Sequence, residues 1–484
     1  MITGRKLGQI SLMLLLLWAA GCKKDSIEPA LPVETTTNTT TATNGSINSW
    51  VYGVMQDAYF WTNQLPAQNS LQSSQSPFSY FESLIYQRNS VDRFSSITDD
   101  IDALKKEFNG VSKVFGIQYQ LSYVDQSQTN IGLFLSQVVK GSPAEAAGLH
   151  RGDIIMKVNG QLLTNGNYAT LLRGNDNLTV TLGTINGSTF VPDDLKTFSL
   201  TKAEISENPI AFSSIIDKSP YGKKIGYLVY TQFVPGTEAS PKLYDDQLRN
   251  IFSNFKANGV NELVLDLRFN GGGYISSAET LASLVGTNIS ASKVFYEEQW
   301  NDRYNAYLRQ QDGPAALDHN FLTEPSNIGT GLTRVFVLTS RSTASASELV
   351  INGLKPYMSV ITIGNNTYGK NLFGTLIEDD QKRWKWGFYV MLGQTANVNG
   401  ESDYGNVNGI SPTYKVDDNR VPFRSFGDDN EPLFNKVLSV MGIPASTTAR
   451  VGATNKVTPL SNEFLRDNLQ TGEKRMIQES PFKK

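Results

Sequence analysis

The sequence holds one cysteine and two histidines in 484 residues, and it has no excess of either charge, with 43 basic against 46 acidic side chains and a formal net charge of -3. One cysteine permits no internal disulfide and no cysteine-based zinc site. Two histidines are too few for a histidine-rich metal centre, and a Ser-His-Asp relay would have to use His150 or His319. The near-neutral charge gives no electrostatic reason to expect nucleic acid or an anionic surface as the main partner. No metal or organic cofactor is implied.

The single cysteine has a telling place. Arg5 and Lys6 precede an apolar run from Ile10 to Ala20, followed by Gly21 and Cys22. The run falls well short of the ~20 residues that span a bilayer as a helix, so it reads as the core of a signal peptide over residues 1–21. Ala19, Ala20 and Gly21 before Cys22 resemble a bacterial lipobox, although an aliphatic residue is usual where Ala19 stands. That resemblance implies lipidation of Cys22 and a membrane-tethered chain facing outside the cytoplasm. The alternative is an ordinary secretory signal with an incidental cysteine. Residues 22–47, rich in Thr, Asn and Pro, cannot bury enough apolar surface to offset their ordering and read as a flexible spacer.

The remaining chain divides by periodicity. Trp50, Val51, Val54, Met55, Tyr59 and Phe60 recur at helical spacing, and Phe81, Leu84 and Ile85 repeat the pattern, giving a small helical domain over 48–110. Trp50, Trp61 and Tyr86 could form a peptide-facing platform, but core packing is the stronger reading. Over 111–208 the pattern changes to short strands. Phe115-Gly116-Ile117 leads a strand, Ser142 to Leu149 (SPAEAAGL) opens a short helix, and Arg151 to Gly160 (RGDIIMKVNG) ends in a tight Asn-Gly turn. SPAEAAGL followed by RGDIIMKVNG resembles a PDZ domain. Such domains add an extended C-terminal peptide to a sheet edge and capture its carboxylate with backbone amides. Phe115, Gly116 and Ile117 would then line the groove; the alternative is a PDZ fold acting only as lid or spacer. Over 209–445 buried strands alternate with helices, implying βαβ units around a largely parallel sheet. Residues 446–484 lack periodicity and are expected to wrap the surface. The fold class is therefore multidomain α/β.

Three loops of the α/β part follow strands, the end of such sheets where ligands bind. Asp266-Leu267-Arg268-Phe269-Asn270-Gly271-Gly272-Gly273 can bring backbone amides close to a ligand. It lacks the Walker lysine, and an oxyanion site suits it better than a phosphate site. Thr343-Ala344-Ser345-Ala346-Ser347-Glu348 stands where a strand turns into a helix, and as a bare pattern it is a helix cap. Thr367-Tyr368-Gly369-Lys370 follows the next strand, where a lysine is ordinarily a solvated one.

Together DLRFNGGG, STASASE twenty-five residues before a lysine, TYGK and the GISP segment at Gly409 to Pro412 resemble the C-terminal processing, or tail-specific, serine peptidases. The resemblance implies a Ser/Lys dyad with Ser345 as nucleophile, Lys370 as general base, and amides of Gly272 and Ala346 as oxyanion hole. A serine hydroxyl needs a base to become nucleophilic, and a lysine serves only when neutral, which burial favours. A buried Lys370 within hydrogen-bond reach of Ser345 Oγ is expected. Many members carry a glutamine four residues after the lysine, thought to orient it; here Gly374 stands there, and Asn371 is a weak substitute. The function implied is a lipid-anchored endopeptidase acting on proteins or peptides with unstructured C-termini. The alternative is a catalytically weak or inactive homologue that binds peptides as a surface lipoprotein. A glycan-handling lipoprotein finds no paired-carboxylate support.

Overall fold

The structure, a computed structural model, describes residues 43–187, 189–444, 455–460, 464–467, 470–471 and 474–478. The expected signal peptide, Cys22 and most of the expected spacer lie outside these residues. The first helix, α1 (Asn44–Ala58), begins inside the stretch expected as spacer. Thr43 and Ser46 account for this early start, because each hydroxyl accepts from the other's amide in a reciprocal cap. Val51, Val54, Met55 and Ala58 of α1 and Tyr80, Phe81 and Leu84 of α2 (Pro77–Leu84) are buried in one cluster with the α/β core. Trp50, Trp61 and Tyr86 pack against that cluster, and Trp50 meets the rings of Trp384 and Phe388 edge-on. These aromatics are the seam between the helical part and the core, not an open platform. Helix α3 (Ile101–Phe108) completes the part. No described helix is long and apolar enough to cross a membrane.

The PDZ-like part is an antiparallel sheet in which β1 (Ile117–Tyr123), β2 (Ile131–Val138), β3 (Ile154–Val158), β4 (Asn177–Asn186) and β5 (Thr189–Thr201) pair in sequence order. The Asn159-Gly160 turn has φ of 51° and 76°, the left-handed pair that a two-residue hairpin turn requires. Arg151 of the RGD run ties this part to the core. Its guanidinium lies 4.3 Å from the Phe426 ring centre and donates to the Arg424 carbonyl at 2.7 Å.

The α/β part holds a six-stranded sheet ordered β6 (Ile210–Lys218), β7 (Lys223–Tyr230), β8 (Glu262–Asp266), β10 (Arg334–Thr339), β11 (Ser359–Gly364) and β14 (Tyr414–Lys415), where β9 is the short strand Gly272–Tyr274. The β6–β7 pair is antiparallel and the others are parallel, with α4 (Leu243–Ala257) joining β7 to β8 and α6 (Ala346–Leu354) joining β10 to β11. Helix α5 (Ile275–Val285) follows β9 and packs on α6. Strands β7 and β8 read as unbroken apolar runs because they are buried on both faces.

A second sheet, not expected from the strand-helix alternation, contains the antiparallel pair β12 (Leu372–Glu378) and β13 (Gly387–Ala396). The chain from 455 onward supplies further short strands, among them β15 (Thr458–Pro459), β16 (Leu465–Arg466) and β17 (Arg475–Ile477). The expectation that this segment wraps the surface is corrected: β15 and β16 pair with β1, while β17 lies between β9 and β12. Backbone hydrogen bonding to sheet edges holds it there, together with buried Val457, Phe464, Leu465, Met476 and Ile477.

Candidate active site

Ser345 caps the N-terminus of α6 with φ 63° and ψ -114°, a conformation that glycine adopts easily and other residues do not. The sharp turn between β10 and α6 imposes it. The loop after β8 holds that turn: Thr343 Oγ1 donates to the Leu267 carbonyl at 2.8 Å, Ala344 N–H to the Asn270 carbonyl at 3.0 Å, and Ser347 Oγ to the same carbonyl at 3.2 Å. Asn270 in turn donates to the Tyr230 carbonyl at 3.0 Å. Ser345 is fully buried, and its Oγ makes no hydrogen bond. Ser345 N–H donates to the Glu348 carboxylate at 2.7 Å in a capping box, so STASASE is the cap that its bare pattern suggests, and the strained, buried serine hydroxyl is a feature beyond capping.

Strain of this kind costs about 1–3 kcal/mol. Replacement of Ser345 by Gly should relieve it, less the ~0.5–1 kcal/mol of extra chain entropy that glycine loses on folding. The Ser345→Gly variant should therefore melt about 2–4 °C above Ser345→Ala, which keeps the offending Cβ. Equal melting temperatures for the two variants would show that the turn is unstrained.

Glu348, one turn into α6, links the serine to the lysine loop. Its carboxylate accepts from the amides of Ser345 at 2.7 Å, Lys370 at 2.9 Å and Gly369 at 2.8 Å, and from the Thr367 hydroxyl. Burial pushes the Glu348 carboxyl up, and the four donors oppose that shift. Thr367 is braced by the GISP segment, since Ile410 N–H donates to Thr367 Oγ1 at 2.7 Å and Thr367 N–H to the Ile410 carbonyl at 3.0 Å. A Cβ on Gly369 would stand 1.6 Å from the Asn406 carbonyl oxygen, so only glycine fits before the lysine. In the sequence Glu348 reads as a cap residue, and its distance along the chain from Thr367–Lys370 hides the shared role.

Lys370 is fully buried, as expected, yet its Nζ is not bonded to Ser345 Oγ. It donates to the Lys474 carbonyl at 2.7 Å and to Tyr389 Oη at 3.2 Å, and lies 4.5 Å and 4.9 Å from the ring centres of Phe94 and Tyr389. The acceptors that win are a backbone carbonyl from the 474–478 segment and a phenol on β13. Asn371 does not take the place of the absent glutamine: its side chain donates to Ser402 Oγ at 2.8 Å and to the Ser402 carbonyl at 3.0 Å. A Cβ on Gly374 would meet the Val390 carbonyl oxygen at 2.3 Å and Tyr389 Cε2 at 3.0 Å. The room a longer side chain would need is taken, in part by the tyrosine that touches Lys370.

The expected oxyanion hole is altered. Gly272 sits against the serine, where an added Cβ would lie 2.8 Å from Ser345 Cβ, but its N–H donates to Asn270 Oδ1 at 2.8 Å and is not free for an oxyanion. Asn270 curls back over its own loop and takes it. Ala346 occupies the first position of α6, where amides lack an intrahelical acceptor. The histidines stand apart: His319 stacks on Tyr296 with Nε2 3.2 Å from the Glu298 carboxylate, and neither is bonded to Ser345. In the PDZ-like part, the amides of Phe115 and Ile117 point at one spot, at 2.8 Å and 3.2 Å from the two carboxylate oxygens of Asp467. Gly116 between them has φ 85° and packs so closely on Ser142 that no side chain would fit.

Sequence profiles of known families match three stretches: peptidase family S41 over residues 224–416, the peptidase S41 N-terminal domain over 46–96, and a PDZ domain over 134–184. The chain is 29% identical over 241 residues to a carboxyl-terminal-processing protease of Synechocystis, covering 49% of each protein. It is 26% identical over 275 residues to a chloroplastic C-terminal processing peptidase of Tetradesmus obliquus, covering 55% of this chain and 53% of that one. It thus spans about half the length of the curated relatives it matches. Among solved structures, an S41 protease from Bacteroides fragilis superposes with a TM-score of 0.67 at 28% identity, over 81% of this chain and 97% of the other.

Proposed function

This chain belongs to peptidase family S41, and on that premise we propose that it is a serine endopeptidase working through a Ser345/Lys370 dyad on proteins presented by their unstructured C-terminal tails. Ser345 Oγ attacks the scissile carbonyl while Lys370 Nζ takes the hydroxyl proton. The tetrahedral intermediate collapses to an acyl-enzyme as Lys370 returns that proton to the leaving amine. Water, deprotonated in turn by Lys370, releases the acyl group. The Ala346 amide, at the positive end of α6, is the donor best suited to the oxyanion. The observation that carries this reading is the Glu348 carboxylate, which fixes the backbone of the serine and of the lysine through one side chain. Phe115, Gly116 and Ile117 serve as the carboxylate end of the peptide groove. The short apolar run before Cys22 supports an extracytoplasmic chain held to a membrane by lipid.

Tyr389 acts in this reading as a positioning residue for Lys370, in the role the glutamine has elsewhere. Tyr389→Phe should lower kcat by about tenfold with KM little changed, a small share of the ~10²–10⁴ that a positioned base contributes. A matched loss in KM, or no loss in kcat, would leave the hydroxyl a packing group only.

A direct test is labelling by a serine-directed fluorophosphonate, with the adduct located by peptide mapping, beside cleavage of an unfolded protein with an apolar C-terminus. Adduct on Ser345 together with cleavage supports the peptidase. The engaged Lys370 and Gly272 favour the second reading, a peptide-binding homologue without turnover, and absence of both adduct and cleavage with retained peptide binding would select it.

A further inference from the structure

The chain's own later segment occupies both places where a peptide substrate would sit. Strand β16 runs antiparallel to β1, with Leu465 opposite Tyr119 and Arg466 opposite Gln118. It ends on Asp467, whose N–H donates to the Ile117 carbonyl at 3.3 Å and whose carbonyl accepts from Tyr119 Oη at 2.9 Å. The side-chain carboxylate, almost fully buried, takes the Phe115 and Ile117 amides. This is the geometry of a strand added to a sheet edge with its terminal carboxylate captured, except that an aspartate side chain stands in for a chain terminus.

The second place is the dyad. Arg475 N–H donates to the Gly271 carbonyl at 2.9 Å, and β17 runs parallel to β9 on one side and to β12 on the other. An added Cβ on Gly272 would meet the Arg475 carbonyl oxygen at 2.0 Å, so this backbone crosses directly over the loop next to Ser345. Lys370 is held by the Lys474 carbonyl at 2.7 Å, and the Met476 carbonyl accepts from Tyr389 Oη at 2.8 Å. Arg475 reaches the helical part as well, donating to Glu107 at 2.9 Å with its guanidinium 3.9 Å from the Phe108 ring centre. A cavity of about 370 Å³ is lined by residues of both places, Arg466 and Asp467 of the one and Gly271, Gly272 and Arg475 of the other.

We infer that residues 464–467 and 474–478 are a built-in competing ligand: they fill the PDZ-like groove and the cleft in cis, and a peptide with a free C-terminal carboxylate must displace Asp467 to be engaged. The inference rests on the reading of Phe115–Ile117 as peptide groove and of Ser345–Lys370 as dyad. A tethered ligand acts at an effective concentration near millimolar, and an incoming peptide's apparent Kd is its intrinsic Kd divided by the fraction of molecules with an open groove. Release of β17 would also free Lys370 from the Lys474 carbonyl, so groove occupancy and the state of the base are linked through one segment.

The test uses the full chain and a fluorescein-labelled decapeptide with apolar last residues and a free C-terminus, read by polarisation. Asp467→Ala should bind it at least about tenfold more tightly than wild type and cleave an unfolded protein faster, while Asp467→Glu, which keeps the carboxylate, stays near wild type. Circular dichroism and melting check that each variant is folded. In the unmutated protein, saturating peptide should raise hydrogen exchange at the amides of 465–467 and 475–478. Unchanged affinity in folded Asp467→Ala, or peptide binding with no exchange response in wild type, overturns the inference and leaves the peptidase reading standing. Tighter binding by Asp467→Ala with no cleavage by any variant keeps the inference and removes the peptidase reading.

Discussion

Ser345→Ala and Lys370→Ala should each remove turnover of an unfolded protein substrate, with kcat falling by at least about 10³-fold for the serine and about 10²–10⁴-fold for the lysine. Alanine at 345 deletes the hydroxyl proposed to form the acyl bond. Alanine at 370 deletes the proton acceptor and leaves the serine as a neutral hydroxyl, while the Lys474 carbonyl and Tyr389 hydroxyl lose a donor. Groups that act as one unit lose their effect together, so the double variant should be no slower than Ser345→Ala alone. Arginine at 370 should not restore rate, because a guanidinium does not give up its proton. Peptide binding measured on Ser345→Ala should persist, since the Phe115 and Ile117 amides lie at or just before the start of β1 in the PDZ-like part and Ser345 caps a helix of the α/β part. Rates for both single variants within a few fold of wild type would remove the dyad assignment.

The largest effect on stability is expected at Arg268, two residues past β8. Its guanidinium is fully buried and bonds Asp266 at 2.7 Å, Asp418 at 2.7 Å and Glu431 at 2.6 Å. Burial pushes the Glu431 carboxyl up and Arg268 holds it down. Arg268→Met would strand these carboxylates in an apolar site, a loss of about 3–5 kcal/mol, or on the order of 10 °C in Tm. Burial already holds the Glu431 carboxyl above its unfolded value, and without the Arg268 cation it rises further, so the folded protein binds the extra proton. Stability of the variant is then greatest at low pH and is lost as pH rises through the raised pKa. Its deficit in Tm should accordingly be smaller at pH 5 than at pH 7. A deficit that does not shrink on acidification would mean that packing, and not stranded charge, sets the loss. Activity should fall with stability, because the Arg268 carbonyl accepts from Ser340 Oγ at 2.5 Å and so helps to hold the serine turn.

Legibility of the fold varied with the kind of signal each element carries. Strands β7, β8 and β10 could be read because burial on both faces leaves continuous apolar runs between helical patterns. The β12–β13 pair could not: Gly374, Gly387 and Gly393 interrupt it, and glycine in a lone sequence reads as loop. At the site, motif order brought Ser345, Lys370 and Gly272 to one end of the sheet. It did not indicate where Lys370 Nζ points, which is decided by a carbonyl more than a hundred residues later. Nor could it give Tyr389, whose place beside Gly374 follows from strand register. Strands β15 to β17 are the least readable, because each is two or three residues long and its few buried apolar side chains, such as Leu465, Met476 and Ile477, are too sparse to leave a periodic trace.

The strained turn at Ser345 has a consequence for descent. A single substitution of serine by glycine would remove the proposed nucleophile while easing the backbone, so selection for stability alone favours the silent form. Lineages released from selection on catalysis should therefore lose this serine early and keep the surrounding architecture, and inactive descendants with glycine there would be sturdier than their active ancestor. Persistence of serine at such a position is itself a record of use.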